Sequence, residues 1–364
     1  MRILFAGGGT GGHLYPGLAI ARAMRRAEND VDAFFVGAQR GIEREVLPRT
    51  EFSHALLDLH PLYRSRPWEN WKTVRGAIGA WGRLADIVKS APPAVVVGTG
   101  GYASGVALAY ARMHGIPYIV QEQNSFPGLT TRFFARHARQ VHLGFPEAAG
   151  HLKPGKETQV FDSGNPIEPP PSPRPDRAGA RESWGFPSSS GHVMLIYGGS
   201  QGSKAINDVV ASWVARGIPE NLNLIWATGR KNYSNYENLE TERIKIRPYL
   251  SPVSEAYAAS DFALSRGGAM ATAELCAWGI PPIIIPLPTA AADHQTANAR
   301  ALTAAGAGDM IMQSAFTPDA LDSSVRKLIT TPHLLEQRSQ AVIARARPHA
   351  ADSIAQRILS LVKK

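Results

Sequence analysis

Three times in this chain a short apolar run ends in a cluster of glycines. Residues 3–13 read ILFAGGGTGGH, residues 95–105 VVVGTGGYASG, and residues 195–203 LIYGGSQGS. Glycines directly after a strand let the backbone turn sharply and approach a ligand closely, and a helix that follows offers free N–H groups at its positive end. Such strand-loop-helix units build parallel sheets covered by helices on both faces. The chain is therefore expected to be α/β, with ligands beyond the carboxyl ends of its strands.

The intervening segments agree. Residues 14–27 have helical spacing, with Leu18, Ala21 and Met24 on one side; VDAFFVG reads as a strand, SGVALAYARMHG as a small-residue helix, and IPYIVQEQN as a strand ending in polar residues. Six prolines between residues 165 and 175 rule out a central strand or helix interior there and mark a linker. The pattern then restarts with HVMLIYGGSQG, and LNLIWATG, IKIRPYL, FALSRGG and PPIIIPLP follow as strands; residues 334–362 read as helical. The 364 residues suit two domains. The expected organisation is a Rossmann-like doubly wound parallel-sheet domain over 1–168, a second over 169–343, and a helix over 344–364, with the two domains facing each other across a cleft.

Composition narrows the function classes. With 44% hydrophobic and 19% charged residues there is apolar material for two cores. The net charge of +9 favours anionic partners, but the basic residues are scattered, with no run that would serve as a nucleic-acid tail. The single cysteine, Cys276, excludes a disulfide framework and a cysteine metal cluster, and its apolar setting reads as core. This fits the cytosol or its membrane face. No signal peptide and no span of about 18 apolar residues is visible.

Gly7, Gly9 and Gly12 satisfy G-x-G-x-x-G, but the second strand ends Val36-Gly37-Ala38-Gln39, without the acid that a dinucleotide ribose needs. This counts against NAD. His13 in isolation reads as a helix-start residue bonded to backbone; among these glycines it becomes a candidate general base. Ser200 opens a helix where it can bond a phosphate. After Ser265-Arg266-Gly267-Gly268-Ala269, Glu274 lies about two turns into a helix; it is either a solvated residue or a carboxylate for two ribose hydroxyls. Residues 292–298 (ADHQTAN) start another helix with side chains able to read a sugar. Two motifs fail. GHLKPGKE at 150–157 lacks the Ser/Thr and the preceding strand of a P-loop, and the D-x-D at Asp30 and Asp32 precedes a strand, where a turn is expected. No metal site is expected.

Taken together, GGGTGGHLYPGLAIA, GTGGYASG, QEQNSFPGLT, SGNP, GGSQGSKAIN, SRGGAMATAE and DHQTANA resemble the UDP-GlcNAc transferases that convert lipid I to lipid II in bacterial peptidoglycan synthesis. Order and spacing match over nearly the whole chain. The resemblance implies the two-domain GT-B fold, a last helix that returns to the N-terminal domain, and inverting transfer without a metal or cofactor. It implies UDP-GlcNAc and membrane-borne lipid I as substrates, no nucleic acid, a peripheral place on the cytoplasmic side of the cell membrane, and association with a cell-wall synthesis complex. It implies that Thr10, Gly11 and Gly12 line the phosphate region and that Asn124 binds the donor sugar. Ser200 is implied to contact the diphosphate and Leu250 to sit against uracil. Ala269, Met270, Ala271, Thr272, Ala273 and Glu274 are implied to form the helix start at the diphosphate, with Glu274 on the ribose, and Gln295 to hold GlcNAc hydroxyls. His13, Tyr102, Glu122 and Asn207 match positions used near the acceptor or in cleft geometry. His13 is the first choice as base and Glu122 the second. One departure is Glu168, where many members carry arginine near the nucleotide; Gln121 and His294 also differ from some members. The alternatives are another GT-B nucleotide-sugar transferase, a UDP-GlcNAc epimerase, and a non-catalytic nucleotide-sugar-binding partner.

Residues 60–90 hold Trp68, Trp71 and Trp81 and six Arg/Lys. Trp71, Val74, Ile78, Trp81, Leu84 and Val88 recur at steps of three or four. The pattern reads either as a helix packed on the sheet or as a face for an anionic membrane, the basic aromatic start from Tyr63 to Lys72 (with Arg64 and Arg66) being the better membrane candidate.

Overall fold

The structure, a computed structural model, describes residues 1–60, 68, 70–187, 191–199 and 201–363. The chain divides into two compact units, Met1–Ile167 with His349–Lys364, and Glu168–Pro348.

In unit 1 the order is β1 (Arg2–Ala6), α1 (Gly11–Ala27), β2 (Asp32–Ala38), α2 (Glu43–Val46), β3 (Ser53–Leu57), α3 (Asn70–Ser90), β4 (Val95–Gly98), α4 (Gly101–Met113), β5 (Tyr118–Glu122), α5 (Leu129–Phe134), β6 (Gln140–Leu143) and β7 (Gln159–Asp162). The strands form one parallel sheet in the order β3-β2-β1-β4-β5-β6-β7. Successive strand residues face opposite ways. In β1, Ile3 and Phe5 therefore join a core with Leu14, Leu18 and Met24 of α1, while Leu4 and Ala6 join a core with Leu84 of α3 and Leu108 of α4. Burial on both faces explains why β1 is apolar without alternation. The order of the strands reverses between β1 and β4, so the glycine loops that follow them flank the switch point where such sheets bind ligands.

Unit 2 contains α6 (Arg177–Ser183), β8 (His192–Tyr197), α7 (Lys204–Ala215), β9 (Leu222–Ala227), β10 (Ile244–Arg247), α8 (Val253–Ala259), β11 (Phe262–Ser265), α9 (Ala269–Trp278), β12 (Pro282–Ile284), α10 (His294–Ala304), β13 (Asp309–Met310), α11 (Pro318–Thr330) and α12 (Leu334–Arg345). Its parallel sheet runs β10-β9-β8-β11-β12-β13, and its switch point lies between β8 and β11. Cys276 is buried in α9, and burial pushes its thiol up to about 12, which makes it an inert core group.

Residues 334–362 are two helices, not one. The first ends at Arg345, and the second, Ala350–Val362, starts past Pro348, whose ring disfavours helical geometry at Arg347. The second helix packs Ile354, Ala355, Ile358 and Leu359 into the α1 core of unit 1 and pairs Asp352 with Arg26 at 2.8 Å. Burying each large aliphatic side chain contributes roughly 1.5–3 kcal/mol, which fastens the end of the chain to its beginning.

The periodicity of α3 divides along its length. Ala80 and Leu84 are buried against α4, and Trp81 packs on Tyr110 with ring centroids 5.0 Å apart. Trp71, Val74 and Ile78, in the first half, are 58%, 60% and 69% exposed. Tyr63, Arg64 and Arg66 lie outside the described residues. Among the described residues, no helix is long and apolar enough to cross a membrane.

Candidate active site

In unit 1 the site is built on the loop from Gly7 to Gly12. Gly9 has φ +87°, the left-handed region, and a side chain there would strike the ring of Tyr102. Gly101, opposite, has φ +73°, and a side chain on it would collide with the carbonyl of Gly8. The two glycine turns therefore lie backbone against backbone. Thr10 is the N-cap of α1, yet its side chain makes no capping bond, and Gly11 and Gly12 open the helix. Thr99 joins the turns from below by donating its hydroxyl to the carbonyl of His13 at 2.7 Å.

His13 Nδ1 lies 2.9 Å from Gln123 Oε1. Gln123 Nε2 donates to the Thr99 carbonyl at 2.8 Å and also reaches Gln121 Oε1. The amide is thereby turned with its oxygen toward the imidazole. An oxygen can only accept, so Nδ1 carries the proton and Nε2 holds the lone pair. That is the tautomer a general base needs.

Glu122 is placed differently. It is buried, with Oε1 accepting from Asn124 N at 3.0 Å and Asn124 Nδ2 at 3.3 Å, and Oε2 accepting from Gly128 N at 3.0 Å. Both oxygens hold the QEQN loop in shape, and through it the half-buried Asn124. Tyr102 lays its ring against Gly9 of the first loop.

In unit 2 two loops flank the switch point, residues 198–203 after β8 and residues 266–268 after β11. Ser200 lies outside the described residues. Ser203 caps α7 by accepting from Ile206 N. Arg266 is buried; Nη2 donates to Ser203 Oγ at 2.7 Å, and Nη1 donates to the carbonyls of Ile285 and Pro286 at 3.1 and 3.2 Å. No carboxylate stands among these partners, and burial lowers the guanidinium's affinity for its proton. A buried cation without a counter-ion is costly and attracts an anion. Beside it, α9 starts at Ala269 with no side-chain cap and no acid in its first turn. The helix dipole at this N-terminus and Arg266 make one positive region suited to a diphosphate.

Glu274, two turns along α9, is half-buried, and Oε2 accepts from Tyr257 Oη at 2.7 Å. Burial raises its affinity for a proton; the Tyr257 hydrogen bond works against this, and the negative charge of Glu168 adds to it. Thr272 turns inward and bonds the carbonyls of Gly268 and Ala269, while Met270, Ala271 and Ala273 are only partly buried on the same turns. Leu250, half-buried, packs against the cluster containing Tyr257. Gln295 Oε1 accepts from Leu287 N at 3.0 Å, which orients the side chain and leaves its amide nitrogen as the group able to donate. Asn298 secures the Gly267 carbonyl at 3.0 Å.

Asn207 departs from a ligand-facing position. It is buried, donates to the Thr228 carbonyl at 2.8 Å and accepts from Trp226 Nε1 at 3.0 Å, so its amide ties α7 to β9. Asp32 pairs with Arg2 at 2.7 Å at the amino end of β2, opposite to the glycine loops. A surface cavity of about 640 Å³, lined by Arg112, Arg136, Arg139 and Lys156, also opens at amino ends, those of β5–β7. Among the described residues there is no group of three or more His, Cys, Asp and Glu that could hold a metal ion.

Sequence reasoning missed two residues. Arg266 lies in SRGGAMATAE, but that its partners among the described residues include no carboxylate is legible only once its burial is known. Glu43, buried under the first loop with Oε1 on Gly9 N at 2.9 Å, had no local signal.

Two doubly wound parallel-sheet units with glycine loops at their switch points have the architecture of the GT-B class. The family 28 glycosyltransferase N-terminal domain matches residues 3–143, and the family 28 C-terminal domain matches residues 193–357. A curated relative from Chlorobaculum parvum, named UDP-N-acetylglucosamine--N-acetylmuramyl-(pentapeptide) pyrophosphoryl-undecaprenol N-acetylglucosamine transferase, is 38% identical and covers all of both chains. A relative of the same name from Prosthecochloris aestuarii is 36% identical over 99% of each. The crystal structure of Acinetobacter baumannii MurG superposes with a TM-score of 0.77 at 26% identity, covering 99% of each chain. The chain belongs to this family of lipid II-forming N-acetylglucosaminyltransferases, which are hexosyltransferases.

Proposed function

We propose that the chain transfers GlcNAc from UDP-GlcNAc to the MurNAc 4-hydroxyl of lipid I, with inversion and without a metal. The acceptor oxygen attacks C1 of GlcNAc from the face opposite the diphosphate. The bond from C1 to the β-phosphate oxygen breaks, and UDP leaves with the electron pair. His13 Nε2 takes the hydroxyl proton. The observation that carries this reading is the oriented Gln123 amide, which fixes the basic nitrogen of His13.

Unit 2 holds the donor. Arg266 and the start of α9, from Ala269 to Ala273, receive the charge that grows on UDP. Glu274 accepts the ribose hydroxyls, Leu250 lies along the uracil, and Gln295 donates to a GlcNAc hydroxyl. Ser200 completes the diphosphate contacts. Thr10, Gly11 and Gly12 line the phosphate region of unit 1, and Asn124 reads the donor sugar. Glu122, Tyr102 and Asn207 act by positioning these groups.

The enzyme works from the membrane surface. Support comes from the exposed Trp71, Val74 and Ile78 on α3 beside Arg75. Such a face inserts shallowly at an anionic headgroup region. The test of the whole reading is UDP release with UDP-GlcNAc and a short-chain lipid I analogue. Release that requires both substrates and yields the β-linked disaccharide supports it; release from UDP-GlcNAc alone, or none, overturns it.

A further inference from the structure

Glu43 is fully buried in unit 1. Its Oε1 accepts two backbone N–H groups at once, from Gly9 at 2.9 Å and from Ala38 at 3.0 Å. Its Oε2 is equally buried and has no hydrogen-bond partner among the described residues. A side chain at Gly8, Gly37 or Gly41 would run into the Glu43 side chain, so glycines from three segments leave room for it. A buried carboxyl group with one oxygen left unpartnered is an expensive way to fill a core. A stable core alone is better served by an apolar side chain of the same volume. The feature that such a side chain cannot supply is an acceptor bridging the end of β2 to the first glycine loop.

The bridge acts on one particular residue. The Gly9 N–H, pulled down onto Glu43, fixes the left-handed turn that presses Gly9 against Tyr102. Immediately after it, Thr10 caps α1, and His13 lies on the helix's first turn, with its backbone N–H on the Thr10 carbonyl at 3.2 Å. The turn at Gly9 therefore sets where α1 begins and where the imidazole stands relative to Gln123. We propose that Glu43 is a positioning residue for transfer: it clamps the first glycine loop from below and so places His13 and Thr10 for the acceptor. This rests on the reading of His13 as the base. A displacement of about 1 Å in a catalytic group can cost ~100-fold in rate.

The test is steady-state kinetics of UDP release with UDP-GlcNAc and the lipid I analogue, together with UDP calorimetry, on wild type, Glu43→Ala, Glu43→Gln and Glu43→Asp. Glu43→Ala is expected to lower kcat by about 10- to 100-fold. UDP affinity, which belongs to unit 2, should stay within about threefold. Glu43→Gln keeps an acceptor oxygen at the same reach and should recover most of kcat. Glu43→Asp, one methylene short of Gly9, should not. A purely structural role would lower the melting temperature and leave kcat unchanged well below it, and that result for Glu43→Ala overturns the proposal. If Glu43→Ala does not fold, full activity in Glu43→Asp overturns it equally. A wild type that does not turn over lipid I rejects the parent reading; an active wild type with an equally active Glu43→Ala rejects only the clamp.

Discussion

Gln123 presents its side-chain oxygen to His13 Nδ1 at 2.9 Å because its nitrogen is already committed to the Thr99 carbonyl. The relationship links two sequence motifs 110 residues apart and leaves an otherwise ambiguous imidazole with Nε2 as its lone-pair nitrogen, the atom proposed above as the base.

Removing that base should be costly. His13→Ala is expected to lose at least ~100-fold in kcat, the usual scale of general-base loss, while UDP affinity changes little. Gln123→Leu leaves Nδ1 without its acceptor and should lower kcat by a smaller factor, roughly tenfold, through misorientation. Rapid-quench kinetics with saturating donor would measure both. A near-normal His13→Ala would pass the role of base to another group.

Arg266 gives a sharper discrimination between ligands. Its guanidinium is buried, and its partners among the described residues are a hydroxyl and two carbonyls. Arg266→Met should weaken UDP by about 10- to 100-fold, since a charge-assisted hydrogen bond is worth ~1.5–3 kcal/mol. Uridine, which has no phosphate, should bind both proteins alike. Titration calorimetry with the two ligands decides it. Equal UDP affinity would mean that Arg266 only braces Ser203 and the β12 end.

The strands that carry the glycine loops were legible because both their faces are buried, which makes β1 and β8 apolar beyond their first residue and β4 apolar throughout. Apart from β10, read from IKIRPYL, the outer strands were not. In β6, Gln140 and His142 are polar yet buried: His142 Nε2 lies 3.1 Å from Gln140 Oε1, and Nδ1 lies 2.8 Å from Ser163 Oγ. Burial, helped by Arg357, holds this imidazole's pKa down to about 3 and keeps it neutral. A satisfied polar pair gives no hydrophobic periodicity to read. β3 and β7 show no regular apolar alternation, and β13 is only two residues long, so these were missed. Glycine loops could be found because local conformation demands glycine. Glu43 could not, because the groups it serves are set by tertiary folding.

The exposed half of α3 should govern vesicle binding. Val74→Glu with Ile78→Glu replaces two exposed apolar side chains by anions. Each lost insertion is worth about 1.5 kcal/mol or more. Co-sedimentation with anionic vesicles is therefore expected to fall by at least about tenfold. Turnover of a detergent-dispersed acceptor should persist, because Ala80 and Leu84, which anchor the helix, are untouched. Unchanged vesicle binding would move the docking face elsewhere.

Glu274 ties donor binding to pH. Burial raises its affinity for a proton, against the Tyr257 hydrogen bond and with the help of Glu168. The ionised carboxylate is the form that accepts two ribose hydroxyls. UDP affinity should therefore be full above the raised pKa and fall away as pH drops through it, above the ordinary glutamate value of 4.5. Glu274→Ala should weaken UDP and UDP-GlcNAc together by about 10- to 100-fold at neutral pH. The stability effect has the opposite sense. An acid whose pKa is raised by folding binds its proton more tightly in the native state, so it costs stability as pH rises through the window above 4.5 and costs none below it. Glu274→Gln, still able to accept from Tyr257, should accordingly melt higher than wild type at pH 7 without ligand and match it at pH 4. Glu168→Gln should move the pH dependence of UDP binding downward, because one of the charges that raises the Glu274 pKa is gone. Calorimetry of UDP across pH 4 to 8 on these variants reads the binding effects, and thermal melting without ligand at pH 4 and pH 7 reads the stability effect. A flat profile in wild type, together with unchanged UDP affinity in Glu274→Ala, would remove Glu274 from the ribose site.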